Sequence, residues 1–254
     1  MKTDLDKIFE SFDRNAIFKD KSILQINHQP KEILYRDEQI KQIASILAPV
    51  LRGEKPSNLF LYGKTGTGKT LSVQYIKDHL LKRVKENVGF ELNITYLNCK
   101  MKKVSDTEYR ILAELVKKMG ENVPSTGLPT ETIYSKFIEA VDKKKQLVVL
   151  ILDEIDHTVK KISDDFLYNL TRMNSELSRS QICIVGISND LTFLDNIDAR
   201  VKSSLSEEEV IFPPYNALQL KDILKTRAMD VVKRGVVDNG VREKCAAYAA
   251  RAHG

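Results

Sequence analysis

The sequence predicts a parallel α/β fold built around a phosphate-binding loop, and three observations predict it. The first is Gly63-Lys64-Thr65-Gly66-Thr67-Gly68-Lys69-Thr70, which fits G-x-x-x-x-G-K-[ST] between a short apolar run and a helical pattern. The second is the continuous apolar run at 147–152, suited to a central strand covered on both faces. The third is the alternation of such runs with amphipathic helical segments, which makes a parallel sheet flanked by helices. Average residue usage gives the loop pattern by chance in roughly one chain in a hundred of this length.

Each element has its own signal. Leu5, Ile8, Phe9 and Phe12 share one face of a short amphipathic helix, followed by an extended segment ending at Pro30. A helix is expected over about 37–51, burying Ile40, Ile43, Ile46, Leu47 and Val50. Leu59-Phe60-Leu61-Tyr62 feeds the loop, and Val73, Ile76, Leu80 and Val84 recur at helical spacing after it. A second strand is expected at 94–97. Two helices follow, one carrying Ile111, Leu112, Leu115, Val116 and Met119, the other Ile133, Phe137, Ile138 and Val141. The prolines and glycine of residues 123–129 make a turn between them. Beyond the run at 147–152, a helix through Phe166, Leu170, Met173 and Leu177 leads to a strand at 182–187, and a last strand falls at 210–212. At Pro213-Pro214 the pattern changes to helices alone, through Leu220, Leu224, Ala228 and Val231, then Val241, Cys245, Tyr248 and Ala252. Residues 1–212 therefore read as a nucleotide-binding domain and 213–254 as a helical one.

The bulk composition is that of an ordinary globular protein, with 42% hydrophobic and 30% charged residues in 254. The longest apolar run is far too short for a membrane span, and Met1-Lys2-Thr3-Asp4-Leu5-Asp6 has no apolar core of a secretory signal. Cys99, Cys183 and Cys245 lie far apart in apolar settings and read as reduced core thiols of a cytosolic protein. A net charge of +5 permits nucleic-acid binding without requiring it.

The loop carries the chemistry. Its glycines let backbone N–H groups converge on phosphate oxygens at a helix N-terminus, where the dipole favours negative charge. Lys69 is expected on the β- and γ-phosphates, and the Thr70 hydroxyl on Mg²⁺. Asp153 and Glu154 end the apolar run at 147–152, where open α/β sheets carry their ligands. Asp153 suits Mg²⁺ through water, and Glu154 suits proton removal from an attacking water. Asn189 ends the next strand and could orient that water, although Ser188-Asn189-Asp190 alone is a common turn. Arg200 has no signal of its own, since a lone surface arginine is normally solvated.

The order Gly-Lys-Thr-Gly-Thr-Gly-Lys-Thr (63–70), Leu-Asp-Glu-Ile-Asp (152–156), Gly-Ile-Ser-Asn-Asp (186–190) and Ala-Arg-Val-Lys-Ser-Ser-Leu (199–205) resembles an AAA+ ATPase. It is most similar to the archaeal origin recognition complex subunit 1 / cell division control protein 6 family of replication initiators. Tyr35-Arg36-Asp37-Glu38, Asn98-Cys99, Asp106-Thr107-Glu108-Tyr109-Arg110, Gly127-Leu128-Pro129-Thr130 and Phe212-Pro213-Pro214-Tyr215-Asn216 match as well. The resemblance implies an AAA+ P-loop NTPase with a five-stranded parallel sheet and a helical lid, binding ATP or ADP with Mg²⁺ and hydrolysing ATP slowly. It implies Asn189 as sensor 1, Arg200 as an arginine finger acting on a neighbouring subunit, and Tyr215 and Arg227 beside the ribose and adenine. Residues 26–33 would cover the base.

The same resemblance makes 106–141 an initiator-specific insertion whose turn Thr126-Gly127-Leu128-Pro129 touches duplex DNA. On the residues alone that turn is equally a cap between two core helices. Implied partners are double-stranded origin DNA, other initiator subunits and the replicative helicase, with no membrane, in a cytoplasmic and nucleoid-associated protein. In the family, sensor 2 and a winged helix follow the position of His253-Gly254, so the lid is expected to be partial here. Two rivals stay open: a clamp- or helicase-loader acting on protein partners, and a nucleotide-dependent scaffold that does not hydrolyse.

Overall fold

The computed structural model describes residues 4–6, 8–9, 17–25, 30, 32–84, 90–100, 107–124, 126–233 and 235–253. Five strands, β1 (Asn58–Tyr62), β2 (Glu91–Asn98), β3 (Gln146–Asp153), β4 (Gln181–Ser188) and β5 (Glu207–Ile211), form one sheet in the order β2-β3-β4-β1-β5. Every pairing is parallel, so each connection must cross over a face, and helices supply the crossovers.

The strands alternate their side chains between two apolar layers. On one face Phe60, Tyr62, Leu97, Val148, Leu150, Leu152, Ile182 and Ile184 meet α3 (Glu108–Lys118), α4 (Thr130–Asp142), α5 (Ile155–Lys161), α6 (Asp165–Arg172) and α7 (Ala199–Leu205). On the other, Leu59, Leu61, Val149, Ile151, Val185, Ile187 and Val210 meet α1 (Asp37–Leu47) and α2 (Lys69–Val84). Ile43, Leu47 and Val50 are buried there, while Ile40 and Ile46 are only half-buried. Helices α3 and α4 thus form part of the core layer on the β2–β3 crossover. Tyr134 donates to Glu108 and accepts from Asn169 Nδ2 at 3.3 Å, tying α3, α4 and α6 together.

The strands extend beyond the apolar signal: β2 starts at Glu91 and β5 at Glu207. In β5 the run Glu207-Glu208-Glu209 hides the strand because it is an edge paired only to β1 and mostly open to solvent. Helices α5 and α7 carry too few apolar positions to show a period. The helix expected through Leu177 is shorter, ending at Arg172 and tightening into a 3₁₀ turn at Met173–Ser175.

The chain divides into two compact units, one of residues 36–213, the other of the described residues before Arg36 and after Pro213. The N-terminal residues therefore group with the helical unit, whereas 1–212 was expected as one domain. In that unit α8 (Ala217–Val231) opens with a capping box of Asn216 and Gln219, and packs on α9 (Asn239–His253). Phe18 bridges Val232, with Lys19 N donating to Val231 O at 2.7 Å. Leu5, Ile8 and Phe9 are exposed, and Phe12, like most of 26–33, lies outside the described residues. One expectation is corrected: Cys99 and Cys183 are buried, but Cys245 is exposed on α9. Its apolar neighbours in sequence, Ala246 apart, are not packed against a covering layer.

Candidate functional site

The carboxyl ends of β3, β4 and β1 lie side by side, because β4 is hydrogen-bonded between the other two. This brings Asp153-Glu154, Asn189 and the loop 63–70 to one edge of the sheet. The loop needs glycine at its start for space: a Cβ on Gly63 would lie 2.4 Å from Phe212 O. Gly66 and Gly68 hold φ of 84° and 93°, a region that side chains disfavour. Thr67 Oγ1 donates to Lys64 O at 2.8 Å, closing the turn on itself.

Lys69 is the centre of this edge. Its buried Nζ donates to Gly63 O (2.6 Å), Lys64 O (2.9 Å) and Asn189 Oδ1 (2.9 Å). Burial pulls its pKa down to about 8, against the opposing pull of Asp153, Asp156 and Glu154. The Asn189 amide presents its oxygen to this cation and its Nδ2 to Glu154 Oε1, at 3.4 Å. Lys100 Nζ lies 3.6 Å from the same Glu154 oxygen. Glu154 itself sits in the left-handed region at φ 56° and ψ 40°. Such a backbone is costly for a non-glycine residue, and here it turns the carboxylate at the strand end toward Asn189.

Asp153 is buried, and one oxygen, Oδ2, accepts from Thr70 Oγ1 and Tyr96 OH, both at 2.8 Å. Burial, then the Asp153 charge, raises the Tyr96 pKa, so the phenol stays a donor. Among the described residues no group of three or more His, Cys, Asp or Glu could hold a metal alone. A hydroxyl beside a carboxylate is nevertheless the donor set that suits Mg²⁺, which takes few protein oxygens and completes its shell with phosphates and water.

The other expected residues have contacts of their own. Arg200 lies in the first turn of α7, its side chain is 82% exposed, and it is held by Asp198 through Nε (3.1 Å) and Nη2 (3.2 Å). Tyr215, half-buried, and Arg227, exposed, belong to the helical unit. In the turn between α3 and α4, Thr126, Gly127 and Pro129 are exposed, whereas Leu128 packs against the sheet's core. Sequence reasoning missed two residues at the edge. Tyr96 looked like a strand residue, and Arg36 appeared only within a matching quartet. Arg36 is buried and donates to Thr67 O from Nε at 2.8 Å.

A buried parallel sheet, a glycine loop at a helix N-terminus and carboxylates on the neighbouring strand end define a phosphate-loop NTPase fold. The chain belongs to the AAA domain family, which matches residues 52–192. Over 98% of its length it is 49% identical to the ORC1-type DNA replication proteins of Thermococcus onnurineus and Pyrococcus furiosus, each across 255 residues. The ORC1 protein of Aeropyrum pernix, solved in complex with DNA, is 40% identical with a TM-score of 0.85, over 94% of this chain. The chain spans 60% of the length of each of these relatives. No helix among the described residues is long and apolar enough to cross a membrane.

Proposed function

We propose that this chain is the ATPase part of a DNA replication initiator, a nucleotide switch that binds ATP or ADP, hydrolyses ATP slowly, marks origins and helps recruit the replicative helicase. The observation that carries the reading is the chain of contacts Lys69–Asn189–Glu154 beside Thr70–Asp153. Residues 63–70 wrap the phosphates with backbone N–H groups, and Lys69 exchanges its loop carbonyls for the β- and γ-phosphate oxygens. Thr70 and Asp153 would hold Mg²⁺, which would supply positive charge against the charge building on the phosphates. Asn189 orients the water and Glu154 takes its proton as the water oxygen bonds to the γ-phosphorus and the bond to the β–γ bridging oxygen breaks, releasing ADP and inorganic phosphate.

Arg200 is exposed and held by Asp198, which suits action on the nucleotide of an adjoining subunit. Tyr215 and Arg227 serve the ribose and adenine from a lid formed by 213–254. Thr126, Gly127 and Pro129 of the 106–141 insertion are exposed and so available to duplex DNA, and similarity to an ORC1 protein solved in complex with DNA supports that role. Other initiator subunits and the helicase are the expected protein partners, in a cytoplasmic, nucleoid-associated setting. Leu128 is a poor site for testing the DNA contact, because its replacement disturbs the core; Thr126→Asp tests it without that confusion.

Glu154→Gln tests the central reading. The variant should bind ATP as the wild type does and lose at least a hundredfold in turnover, as loss of a general base requires. Lys69→Ala should lose nucleotide binding itself. Hydrolysis at the wild-type rate by Glu154→Gln would remove Glu154 from the mechanism.

A further inference from the structure

Arg36 stands just before α1 and is 2% exposed, a rare setting for a guanidinium. Its fork is fixed at two backbone carbonyls: Nε on Thr67 O at 2.8 Å and Nη2 on Pro213 O at 2.6 Å. The guanidinium carbon also lies 5.6 Å from the centroid of the Phe212 ring, within cation–π range. Phe212 is the residue whose carbonyl abuts Gly63 and whose N donates to Tyr62 O at 2.7 Å. The arginine is therefore clamped by the segment that leaves β5, and it reaches from there into the phosphate loop.

The peptide joining Thr67 to Gly68 is trans and planar, so its C=O and its N–H point in opposite directions. Whatever fixes the Thr67 oxygen also fixes the direction of the Gly68 hydrogen. Gly68 has no side chain to resist rotation of that plane, and its φ of 93° lies where glycine alone moves freely. The other loop carbonyls held by a cation, those of Gly63 and Lys64, are bonded by Lys69. That cation has to turn to phosphate when nucleotide enters, so it cannot hold the loop in both states. Arg36 makes no such exchange.

We infer that Arg36 is a positioning residue of the phosphate loop: by holding the Thr67 carbonyl it presets the Gly68 N–H toward a nucleotide's phosphates before the nucleotide arrives. This rests on the nucleotide-binding reading above. The role needs the flat fork of arginine, since a lysine ammonium is a point donor that cannot span both carbonyls while stacking on Phe212.

The test is ADP and ATP affinity of Arg36→Lys, by calorimetry at a temperature where circular dichroism shows the variant folded. We expect both dissociation constants to rise about tenfold, the worth of one weakened charge-assisted hydrogen bond. In Arg36→Ala, guanidinium at millimolar concentration should recover part of the affinity and ammonium should not. A folded Arg36→Lys that binds ADP as the wild type does, whatever its melting temperature, overturns the proposal and leaves the nucleotide reading intact. A wild type that binds neither nucleotide overturns the reading itself. If neither variant folds, the wild type decides by NMR without nucleotide. A slowly exchanging Arg36 Nε proton supports a preset loop, and a freely exchanging one overturns it.

Discussion

The sheet unit and the helical unit are built from similar proportions of apolar residues but use them differently. In residues 36–213 the strands are covered on both faces, and side chains such as Phe60, Phe137, Phe166 and Leu150 have no exposure. In the helical unit, Val231 and Ala246 are the buried apolar residues among those described, while Leu218 is 73% and Tyr248 64% exposed. The lesson concerns where chemistry can be placed. Bending Glu154 into a left-handed backbone and burying the Lys69 and Arg36 cations are all costly. They persist only where dense packing on both sides of a sheet offsets them. Helices packed as sparsely as α8 and α9 could not hold such a site.

The largest effect should come from the core itself. Phe166→Ala should lower stability by about 3–5 kcal/mol in urea unfolding, by lost burial and the cavity left behind. Leu218→Ser, on α8, should stay within about 0.5 kcal/mol, as surface changes do. Equal losses would erase the contrast between the units.

A second comparison holds the chemistry constant. Each unit has a tyrosine donating to an aspartate: Tyr96 to Asp153 on the sheet edge, and Tyr35 to Asp222 in the helical unit. Tyr96→Phe should cost about 1.5 kcal/mol, the lower end for a bond to a charged group, because Thr70 still donates to the same oxygen. Tyr35→Phe should cost less, since water replaces the partner of an exposed carboxylate. If the chain hydrolyses ATP with Mg²⁺ as proposed, Tyr96→Phe should also raise the Mg²⁺ concentration needed for half-maximal turnover, and Tyr35→Phe should not.

Much of this was legible in the sequence, for reasons that also explain the gaps. That the loop and Asp153-Glu154 fall at one edge of the sheet was readable because a strand–glycine loop–helix order and an acidic pair ending a buried strand are fixed patterns, and β3 because a strand buried on both faces needs an unbroken apolar run. The edge strand β5 was partly hidden, since Glu207, Glu208 and Glu209 are permitted where one side faces water. Arg36, seen only within a matching quartet, and Tyr96, seen only as part of a strand, gave no sign of their contacts because these arise from long-range pairing: Arg36 reaches Thr67 across 31 positions and Tyr96 reaches Asp153 across 57. Cys245 was misread because apolar neighbours along a chain do not ensure a covering layer in space.

The mildest perturbation leaves the fold intact and uses the cysteines as reporters of both units. Burial pushes the Cys99 and Cys183 thiols up to about 12, with a hydrogen bond from Thr158 opposing it at Cys99. Since the thiolate is the nucleophile, both should be inert to a disulfide reagent at pH 8, four units lower. Cys245, exposed on α9, should react within minutes, giving one equivalent of released chromophore from the native protein and three after unfolding. The sign of the pH effect follows from the same burial. Unfolded thiols ionise near pH 8.5 while the native ones stay protonated toward 12, so the native state binds more protons in that window. Stability contributed by these two thiols is therefore full below about pH 8.5 and declines as pH rises toward 12. Cys99→Ser and Cys183→Ser should not change the single native equivalent, and Cys245→Ser should reduce it to zero. Release of more than one equivalent from the folded wild type, at a rate that urea well below the midpoint does not accelerate, would mean that the sheet's core opens as readily as the helical unit.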